Sequence, residues 1–398
     1  MKIQILTQYY FPEIGAASTR WTDYSRLIAE MGHEVTIICQ IPNYPNINLF
    51  DKQRFNNCEK HKGLSLKICR TWVWINDRNS FFKRIIYFIS FMISAIIKSI
   101  SLPKPDIYIA SSPSLFTGLA GAIMSKLYGR PLILDIRDIW PESAIELGEL
   151  RSSVSKKIGF IFQEIIYSKS KMFLVAVPGF SKHLSGKSYS RGKDIIPLIN
   201  GVGGEFINIG ETGTKYFSDT INLIYAGNIG LAQDFETIIN AAKLLGNKYN
   251  FVIIGDGILK KNVLNIINDL GIENVIIKNP MSKQELIKEY AKAHIGIVSL
   301  KNKNIFRNAI PSKTWEYMSC GLAVVCTIKG DIEKLINDSN GGICIEPENV
   351  EDFADTIKHL TKEKIDELGK CGRIYVKSKM RKSDLISNVI DKIESTII

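Results

Sequence analysis

The sequence lacks the short patterns that usually mark a metal or redox site. Its seven cysteines form no C-x-x-C pair, and its five histidines, His33, His61, His183, His294 and His359, have no metal-ligand spacing. Metal binding by histidine is therefore not expected. No G-x-G-x-x-G is present, which argues against a dinucleotide site. We expect neither a metal ion nor a cofactor.

Targeting signals are missing as well. Met1–Leu6 is strand-like and lacks the charged leader and apolar stretch of a secretory signal. Cys39, Cys69, Cys326 and Cys344 lie in apolar runs, where a thiol behaves as a small hydrophobic group. These features predict a reducing, cytoplasmic setting.

The composition is that of a globular chain. Of 398 residues, 45% are hydrophobic and 23% are charged, which excludes disorder and collagen. This length predicts two domains of about 200 residues each. The formal charge of +11 lies entirely in residues 1–200, which hold 26 basic and 15 acidic residues, whereas residues 201–398 hold 25 of each. A basic half can attract nucleic acid, anionic lipid or a phosphorylated substrate.

Short apolar runs rich in Ile, Val and Leu recur between helix-like segments. They are apolar at consecutive positions, which is typical of parallel strands buried on both faces. The pattern predicts an α/β protein of two doubly wound, Rossmann-like domains. The predicted strands are 2–8, 34–40, 64–73, 106–112, 131–138, 172–178, 221–228, 251–257, 275–280, 295–300, 323–327 and 342–347.

The domain boundary is predicted at 199–204, where three glycines fall within four residues. Residues 1–200 then form an N-terminal domain and residues 201–377 a C-terminal domain. Residues 378–398 form a helix that packs on either one, including by crossing back to the first. A joint between such domains would leave a cleft at the carboxyl ends of the strands, where open α/β sheets bind ligands.

Residues 81–98 break the α/β rhythm. The uncharged stretch 85–97 would form a helix of about 20 Å, too short to cross a bilayer. The stretch is either a helix of the core or a helix that lies in the plane of an anionic membrane surface. Both interpretations apply if one face of the helix packs on the domain and the other contacts lipid. The basic excess supports a membrane role, since residues 52–104 hold 11 basic and two acidic residues. The candidate membrane residues are Lys83, Arg84, Phe88, Phe91 and Lys98.

Small-residue loops follow three predicted strands. Such loops let a backbone approach a ligand, although a tight turn without any ligand explains them equally well. A carboxylate in such a loop could accept a hydrogen bond from a base or a ribose. The candidate binding residues in these loops are Gly15, Ala16, Gly227, Asn228, Asp256 and Gly257.

The most informative segment is 307–325. It predicts a helix that begins near Ser312 and ends at Gly321, just before a strand. The start of a helix offers unpaired N–H groups, and Arg307 and Lys313 add positive charge for a diphosphate. Glu316, one turn into the helix, is placed to accept both hydroxyls of a ribose.

Three charged side chains end a predicted strand of the first domain. Asp135, Arg137 and Asp138 lie at its carboxyl end, where perturbed carboxylates are candidates for a functional site. A structural salt bridge is the alternative interpretation.

These segments together resemble the family 4 retaining glycosyltransferases of GT-B fold. The resemblance rests on residues 2–12 with their small-residue turn, on Gly255-Asp256-Gly257, and on P-S-K-T-W-E-Y-M-S-C-G-L-A-V-V at 311–325. It covers essentially the whole chain. Within the family, the sequence is similar to the branch that builds bacterial O-antigen and capsule, which includes amino-fucose transferases.

The resemblance implies roles for individual residues. Glu316 matches the family glutamate that holds the ribose, while Asn308 stands where a second glutamate would face the transferred sugar. Asp138 is the preferred match to a residue that contacts that sugar, with Asp135 as the alternative. The family's Arg and Lys after the first C-terminal strand are missing here. The expected cations for the diphosphate are therefore Arg307, Lys313 or Lys261.

The resemblance implies transfer of a sugar, such as N-acetylfucosamine, from a nucleoside diphosphate donor, expected to be UDP-linked. The implied acceptor is a polyprenyl-diphosphate-linked saccharide at the inner face of the bacterial plasma membrane. Because no D-x-D is present, basic side chains and helix dipoles would replace a metal ion. Asp138, Arg307 and Asn308 are the catalytic candidates.

Two alternatives stay open within this interpretation. One is a UDP-sugar epimerase or hydrolase of the same fold, and the other is a non-catalytic nucleotide-sugar-binding partner of a membrane complex. Nucleic-acid binding is less favoured, since the basic segment contains no recognisable reading motif.

Overall fold

The computed structural model describes residues 1–13, 15–44, 47, 50, 58–76, 80–112, 114–146, 148, 150–207, 219–303, 306–307 and 309–397, with the backbone alone for residues 16, 81 and 397. The chain forms two compact α/β units. The first comprises Met1–Asn200 and Ser383–Ile398, and the second comprises Gly201–Lys382.

An eight-stranded sheet forms the centre of the first unit, with the order β3-β4-β2-β1-β5-β6-β7-β8. Its neighbouring strands are parallel except for the antiparallel pair β3 and β4. The strands are β1 (Lys2–Leu6), β2 (Glu34–Gln40), β3 (Cys58–Lys60), β4 (Leu66–Thr71), β5 (Ile107–Ser112), β6 (Leu132–Ile136), β7 (Met172–Val175) and β8 (Asp194–Pro197).

Helices connect the parallel strands of this sheet, as right-handed crossovers require. They are α1 (Ala16–Glu30), α2 (Phe81–Ile100), α3 (Leu115–Tyr128), α4 (Glu142–Glu146), α5 (Ser153–Lys169) and α6 (Pro178–Leu184). Because helices cover the sheet, most strand residues are buried on both faces.

The second unit holds a six-stranded parallel sheet with the order β11-β10-β9-β12-β13-β14. Its strands are β9 (Ile221–Ala226), β10 (Tyr249–Ile254), β11 (Val275–Lys278), β12 (Ile295–Val298), β13 (Ala323–Cys326) and β14 (Gly342–Cys344). Its helices are α7 (Gly204–Ile207), α8 (Phe235–Leu245), α9 (Lys260–Asp269), α10 (Lys283–Lys292), α11 (Lys313–Ser319), α12 (Asp331–Ser339), α13 (Val350–His359) and α14 (Lys362–Lys379).

A last helix, α15 (Lys382–Ile397), returns to the first unit. Its apolar side chains Ile386, Val389, Ile390 and Ile393 are buried in the core cluster that contains β1 and β2. The returning segment therefore supplies part of the first unit's own core.

The predicted fold class is confirmed, since the structure contains two Rossmann-like parallel sheets. Each of the twelve predicted runs contains a strand, while β3 and β8 were not predicted. The cysteine interpretation was wrong at one position. Cys69 on β4 lies opposite Cys58 on β3 and forms a disulfide with it, instead of remaining a free thiol.

Helix α2 is the long apolar segment of the first unit. Ser80 caps its start by accepting a hydrogen bond from the backbone N–H of Lys83. Among the described residues, no helix combines the length and the hydropathy that crossing a bilayer requires.

Candidate functional site

The carboxyl ends of β9 and β12 mark the topological switch point of the second sheet. Strand β10 pairs with one side of β9 and β12 pairs with the other. In open α/β sheets, ligands bind in the crevice at this point. The Gly227 loop leaves β9 here, and α11 lies between β12 and β13 in the chain.

Tyr317 fixes α11 to this edge of the sheet. Its ring lies so close to Gly296 on β12 that a Cβ at residue 296 would come within 2.3 Å of it. Its hydroxyl oxygen accepts a hydrogen bond of 2.8 Å from the backbone N–H of Ala226, the last residue of β9. Tyr317 thereby places the preceding turn of α11, with Lys313 and Glu316, beside the end of β9.

The amine of Lys313 lies in an unusual environment. Its Nζ is 3.5 Å from the centroid of the Tyr225 ring, in a cation–π contact. A Cβ on Gly227 would lie only 2.8 Å from this nitrogen, so the absence of a side chain at residue 227 makes room for it. The described residues offer Nζ no hydrogen bond. Burial lowers the pKa of Lys313 to about 7, and nearby Glu316 only partly opposes this.

Glu316 is held from the side by α10. The Tyr290 hydroxyl donates a hydrogen bond of 3.3 Å to its Oε2, and the Tyr290 ring packs edge-on against Tyr317. Burial raises the pKa of Glu316, although the Tyr290 hydrogen bond and the charge of Lys313 act in the opposite direction. Oε1 accepts no hydrogen bond from the described residues. One carboxylate oxygen is therefore positioned and the other can still accept.

The glycine loops of the second unit pack tightly against one another. A Cβ on Gly255 would lie 1.9 Å from the carbonyl oxygen of Gly227, and one on Gly257 would meet the Asn228 side chain at 2.7 Å. Backbone packing between neighbouring loops therefore explains Gly255 and Gly257. Gly227 differs from them, because it also borders the Lys313 amine.

The side chains of the other predicted binding residues that the structure describes in the second unit are exposed and make none of the contacts around Lys313 and Glu316. The Asp256 side chain is 71% exposed and accepts a hydrogen bond from the backbone N–H of Gly257, which closes its own loop. Lys261 is exposed on α9. Arg307 is exposed, and its carbonyl oxygen accepts a hydrogen bond from the N–H of Asp331 at the start of α12. Asn308 lies outside the described residues.

The start of α11 offers fewer free N–H groups than the sequence suggested. Helix α11 has seven residues and begins at Lys313. The N–H groups of Thr314 and Trp315 already donate to the carbonyl oxygens of Pro311 and Ser312. Ser312 is exposed, and its side chain makes no capping bond. The diphosphate site predicted at this helix start therefore stays a prediction, and the Lys313 side chain is the stronger candidate to hold a diphosphate.

In the first unit, Asp135 is a structural residue. It is fully buried, and its carboxylate accepts hydrogen bonds from the Arg20 guanidinium, the Trp21 indole and the Ser111 hydroxyl. Burial alone would raise its pKa, but the charge and hydrogen bonds of Arg20 hold the pKa below its usual value. Fully buried and held by four hydrogen bonds, Asp135 is not accessible to a ligand.

The neighbouring candidates lie closer to the surface. Arg137 donates a hydrogen bond to the carbonyl oxygen of Ala17 at the start of α1, and burial lowers its pKa to about 10. Asp138 is partly exposed and borders a cavity of the first unit. Gly15 is exposed with φ +133°, a value that favours glycine, so the turn alone explains it. Ala16, whose backbone alone is described, is the first residue of α1.

The membrane candidates divide between the two faces of α2. Phe91 is fully buried and therefore cannot contact lipid, so this prediction was wrong. Phe88 is partly buried and stacks on Phe116 of α3, while Arg84 lines the same cavity as Asp138. Lys83 is exposed and Lys98 is partly exposed. The outward apolar stripe consists of Phe82, Ile86, Ile93, Ile97 and Ile100.

Sequence reasoning missed the three tyrosines that build the second unit's site. Tyr225, Tyr290 and Tyr317 lie on β9, α10 and α11, and 26 residues separate Tyr290 from Glu316. In the sequence, each of these tyrosines occupies a position that is typical of the apolar core. The one available signal was that Tyr317 directly follows the predicted ribose ligand.

Comparison with known proteins gives a family match within the second unit and relatives that cover most of the chain. Residues 214–374 match the family Glycosyl transferases group 1. Over 369 residues, 88% of this chain and 90% of the relative, the chain is 22% identical to WcaI, named as a putative colanic acid biosynthesis glycosyl transferase, of Escherichia coli (strain K12).

A second relative comes from Campylobacter jejuni subsp. jejuni serotype O:2. It is an N-acetylgalactosamine-N,N'-diacetylbacillosaminyl-diphospho-undecaprenol 4-alpha-N-acetylgalactosaminyltransferase, 21% identical over 280 residues, 69% of this chain and 72% of the relative. Among solved structures, Anabaena Alr3699/HepE in complex with UDP and glucose has the same fold, with a TM-score of 0.71 and 12% identity over 99% of this chain and 100% of that one. The family match therefore lies within the second unit, and the chain as a whole has a GT-B fold.

Proposed function

We propose that this protein transfers a sugar from a UDP-linked donor to a polyprenyl-diphosphate-linked saccharide. The second unit binds the donor, and the first unit binds the acceptor. The observation that carries the donor assignment is the Lys313 amine, which lies at the switch point of the family-matched unit without a hydrogen bond from the described residues.

Lys313 and Glu316 suit different parts of a nucleoside diphosphate. An ammonium group against Tyr225 gains strong, charge-assisted hydrogen bonds when a diphosphate approaches it. The carboxylate of Glu316, which Tyr290 holds by one oxygen, can accept the hydroxyls of a ribose. The Anabaena protein of the same fold was solved in complex with UDP and glucose, which favours uridine over other nucleosides.

The proposed transfer retains the configuration of the donor sugar and uses no metal ion. The bond between the sugar C1 and the diphosphate oxygen breaks, and C1 bonds to the acceptor oxygen. The proton of the acceptor hydroxyl passes to the departing diphosphate. Lys313, with help from Arg307 or Lys261, stabilises the charge that develops on that leaving group. Asp138 and Asn308 orient the reacting sugars.

The acceptor assignment draws on the relatives. The Campylobacter relative's name specifies a diphospho-undecaprenol acceptor and an N-acetylated amino sugar, and the Escherichia coli relative is named for colanic acid biosynthesis. We extend these to O-antigen or capsule synthesis in this chain, with an N-acetylated amino-deoxyhexose such as N-acetylfucosamine as the transferred sugar.

A lipid-linked acceptor requires the protein to work at a membrane surface. The outward stripe of α2 supplies apolar side chains, and Lys83 and Lys98 supply charge on the same helix. We therefore assign the protein to the inner face of the plasma membrane as a peripheral protein, bound through α2.

The membrane assignment is tested by sedimentation with anionic liposomes. The double variant Lys83→Gln/Lys98→Gln should bind roughly fivefold more weakly for each lost charge, because each basic side chain contributes about 1 kcal/mol at such a surface. The matched control is Lys243→Gln/Lys288→Gln, which removes two charges from helices of the second unit. Equal losses in both variants would contradict a role for α2.

The donor assignment is tested by thermal shift with UDP-, GDP- and dTDP-sugars, since a ligand of the native state raises its melting temperature. UDP-sugars should give the largest shift, and Glu316→Ala should reduce it. A protein that no UDP compound stabilises would overturn the proposal.

Assays of the wild-type protein and of Glu316→Ala distinguish the proposed transferase from the two alternatives. An epimerase or hydrolase would convert UDP-sugars without any acceptor, whereas a transferase should release UDP mainly when a lipid-linked saccharide is supplied. If the protein were a non-catalytic partner, cells that carry the Glu316→Ala variant would still assemble the polysaccharide. Loss of assembly in those cells would count against a non-catalytic role.

A further inference from the structure

The first unit contains a cavity of about 350 Å³ at its own switch point. Strand β1 pairs with β2 on one side and β5 on the other, so the crevice for ligands lies between the ends of β1 and β5. Tyr9, three residues beyond β1, and Ser114, two residues beyond β5, both line the cavity. Its volume lies within the range of about 300–1,000 Å³ that small-molecule sites occupy.

The walls of this cavity are mainly apolar. Aromatic rings come from three different elements, with Phe88 on α2, Phe116 on α3 and Phe162 on α5. These rings pack on one another, since Phe88 and Phe116 are stacked at 6.5 Å and Phe116 meets Phe162 edge-on at 6.3 Å. Polar side chains also line the cavity, among them Ser114 and Ser155, but most of its surface is apolar. Such walls suit a hydrocarbon chain, which needs no hydrogen-bond partner, better than a sugar or a nucleotide base.

The cavity opens onto an apolar outer surface. Ile158 of α5 lines it and is also 47% exposed. Val154, Ile158, Ile161 and Ile165 are all exposed and are spaced by four, three and four residues, which places them along one face of the helix. A hydrocarbon chain that leaves a lipid phase could therefore reach the cavity over the exposed side chain of Ile158.

Charge lies beside the apolar walls. Arg84, from the first turn of α2, lines the cavity, and Asp138 lines it from the end of β6. A guanidinium group suits the two adjacent phosphates of a diphosphate. The cavity thus combines an apolar pocket with a cation in its wall, which matches a hydrocarbon chain that ends in a diphosphate.

We propose that this cavity binds the diphosphate-proximal isoprene units of the acceptor lipid, with Arg84 beside the diphosphate. The inference rests on the proposed function, which makes the acceptor a polyprenyl diphosphate. It places the acceptor lipid inside the first unit and leaves α2 to contact the membrane. Asp138 then lies where the acceptor's first sugars begin.

The test is a calorimetric titration with farnesyl diphosphate, a short isoprenoid diphosphate, and with inorganic diphosphate for comparison. Saturating UDP is present throughout, so that Lys313 does not take up either ligand. We expect farnesyl diphosphate to bind at least about tenfold more tightly than inorganic diphosphate, since each buried CH₂ contributes about 0.8 kcal/mol. Equal binding of the two would overturn the proposal.

A matched pair of variants locates the binding. Ile158 and Ile161 are both 47% exposed on α5, but of the two Ile158 alone lines the cavity. Ile158→Asn should weaken farnesyl diphosphate binding by roughly fivefold or more, whereas Ile161→Asn should leave it unchanged. Equal effects of the two variants would show that the chain binds the outer surface instead, and would overturn the cavity assignment.

Failure of the cavity assignment can be distinguished from failure of the proposed glycosyltransferase function. If UDP raises the melting temperature but farnesyl diphosphate does not bind, the donor assignment stands and the cavity assignment is wrong. If farnesyl diphosphate binds with the predicted preference and UDP has no effect, the cavity assignment stands and the donor assignment is wrong.

Discussion

The two units each place a basic and an acidic side chain near the central strands of their sheets, and the pairs are built differently. Arg20 and Asp135 of the first unit are fully buried and in direct contact, with Nη2 and Oδ1 2.7 Å apart. Lys313 and Glu316 of the second unit form no salt bridge within 4 Å, and each contacts a tyrosine.

This difference separates a structural pair from a binding pair. Asp135 has four hydrogen bonds from three residues, and Arg20 also donates to Asn200 at the end of the first unit's main segment. A buried pair with all its partners holds elements together. Lys313 keeps an amine that no hydrogen bond from the described residues satisfies, which costs stability unless an anion binds. Sites that give up stability in this way are candidates for function.

The largest expected effect is on the structural pair. Asp135→Asn keeps the side-chain shape but leaves the Arg20 charge buried without a counter-charge. We expect a loss of about 3–5 kcal/mol in the free energy of unfolding of the first unit, measured by urea denaturation. The UDP-dependent stabilisation should persist, since the donor residues lie in the second unit. A loss below about 1 kcal/mol would contradict a structural role.

In contrast to Asp135→Asn, Lys313→Met should lower the affinity for UDP without lowering the stability of the protein. The variant removes the ammonium but keeps an apolar side chain, so the unliganded protein should melt no lower than the wild type. Affinity for UDP, measured by calorimetry, should fall at least about 30-fold, which is roughly 2 kcal/mol for a lost charge-assisted hydrogen bond. Reduced stability together with unchanged UDP binding would make Lys313 a second structural residue.

The pH dependence sharpens the contrast further. Lys313 has a pKa of about 7 in the folded protein, so the ammonium that a diphosphate needs is lost as the pH rises. Affinity for a UDP-sugar should therefore fall about tenfold between pH 6 and pH 8, as one titrating group predicts. Calorimetry at both pH values tests this, and Lys313→Met should show no such slope.

The lowered pKa of Lys313 also makes the stability of the folded protein depend on pH. The unfolded chain, where the lysine pKa is about 10.5, binds the proton that the folded protein has lost at pH values between about 7 and 10.5. Stability should therefore rise with pH across this window because of Lys313. Lys313→Met should flatten that rise, and an unchanged slope would show that other groups produce it.

The smallest expected effect is at Gly227. Gly227→Ala places a Cβ 2.8 Å from Lys313 Nζ, so the flexible end of the lysine must move away from the Tyr225 ring. We expect about a fivefold loss of UDP affinity and a somewhat lower melting temperature, because residue 227 has φ +144°, which side chains rarely adopt. Gly192→Ala, at φ +73° with nothing within 4 Å of the added Cβ, is the control for backbone strain. Equal behaviour of the two variants would remove Gly227 from the site.

Consecutive apolar residues were sufficient to predict both sheets, because parallel strands covered on both faces leave that signal in the sequence. Strand β3 escaped because Cys58-Glu59-Lys60 is short and polar, and β8 because its residues at the edge of the sheet are only partly buried.

The site could be predicted only where its residues are neighbours in the sequence. Lys313 and Glu316 lie one turn apart on one helix, and this spacing was visible. Arg20 and Asp135 are separated by 115 residues, so no local pattern could show that Asp135 is already fully bonded. The cavity of the first unit is lined by side chains from three helices and three strand ends. Because these residues are far apart in the sequence, no local motif predicts the cavity.

The path of α15 has a consequence for how the chain is made. The first unit needs Ile386, Val389, Ile390 and Ile393 to complete its core, whereas the second unit is one continuous segment, Gly201–Lys382. During synthesis, the second unit therefore has all of its residues before the first does. The unit that we assign to the lipid acceptor can close its core only after the donor-binding unit has left the ribosome, so the order of folding runs against the order of the sequence.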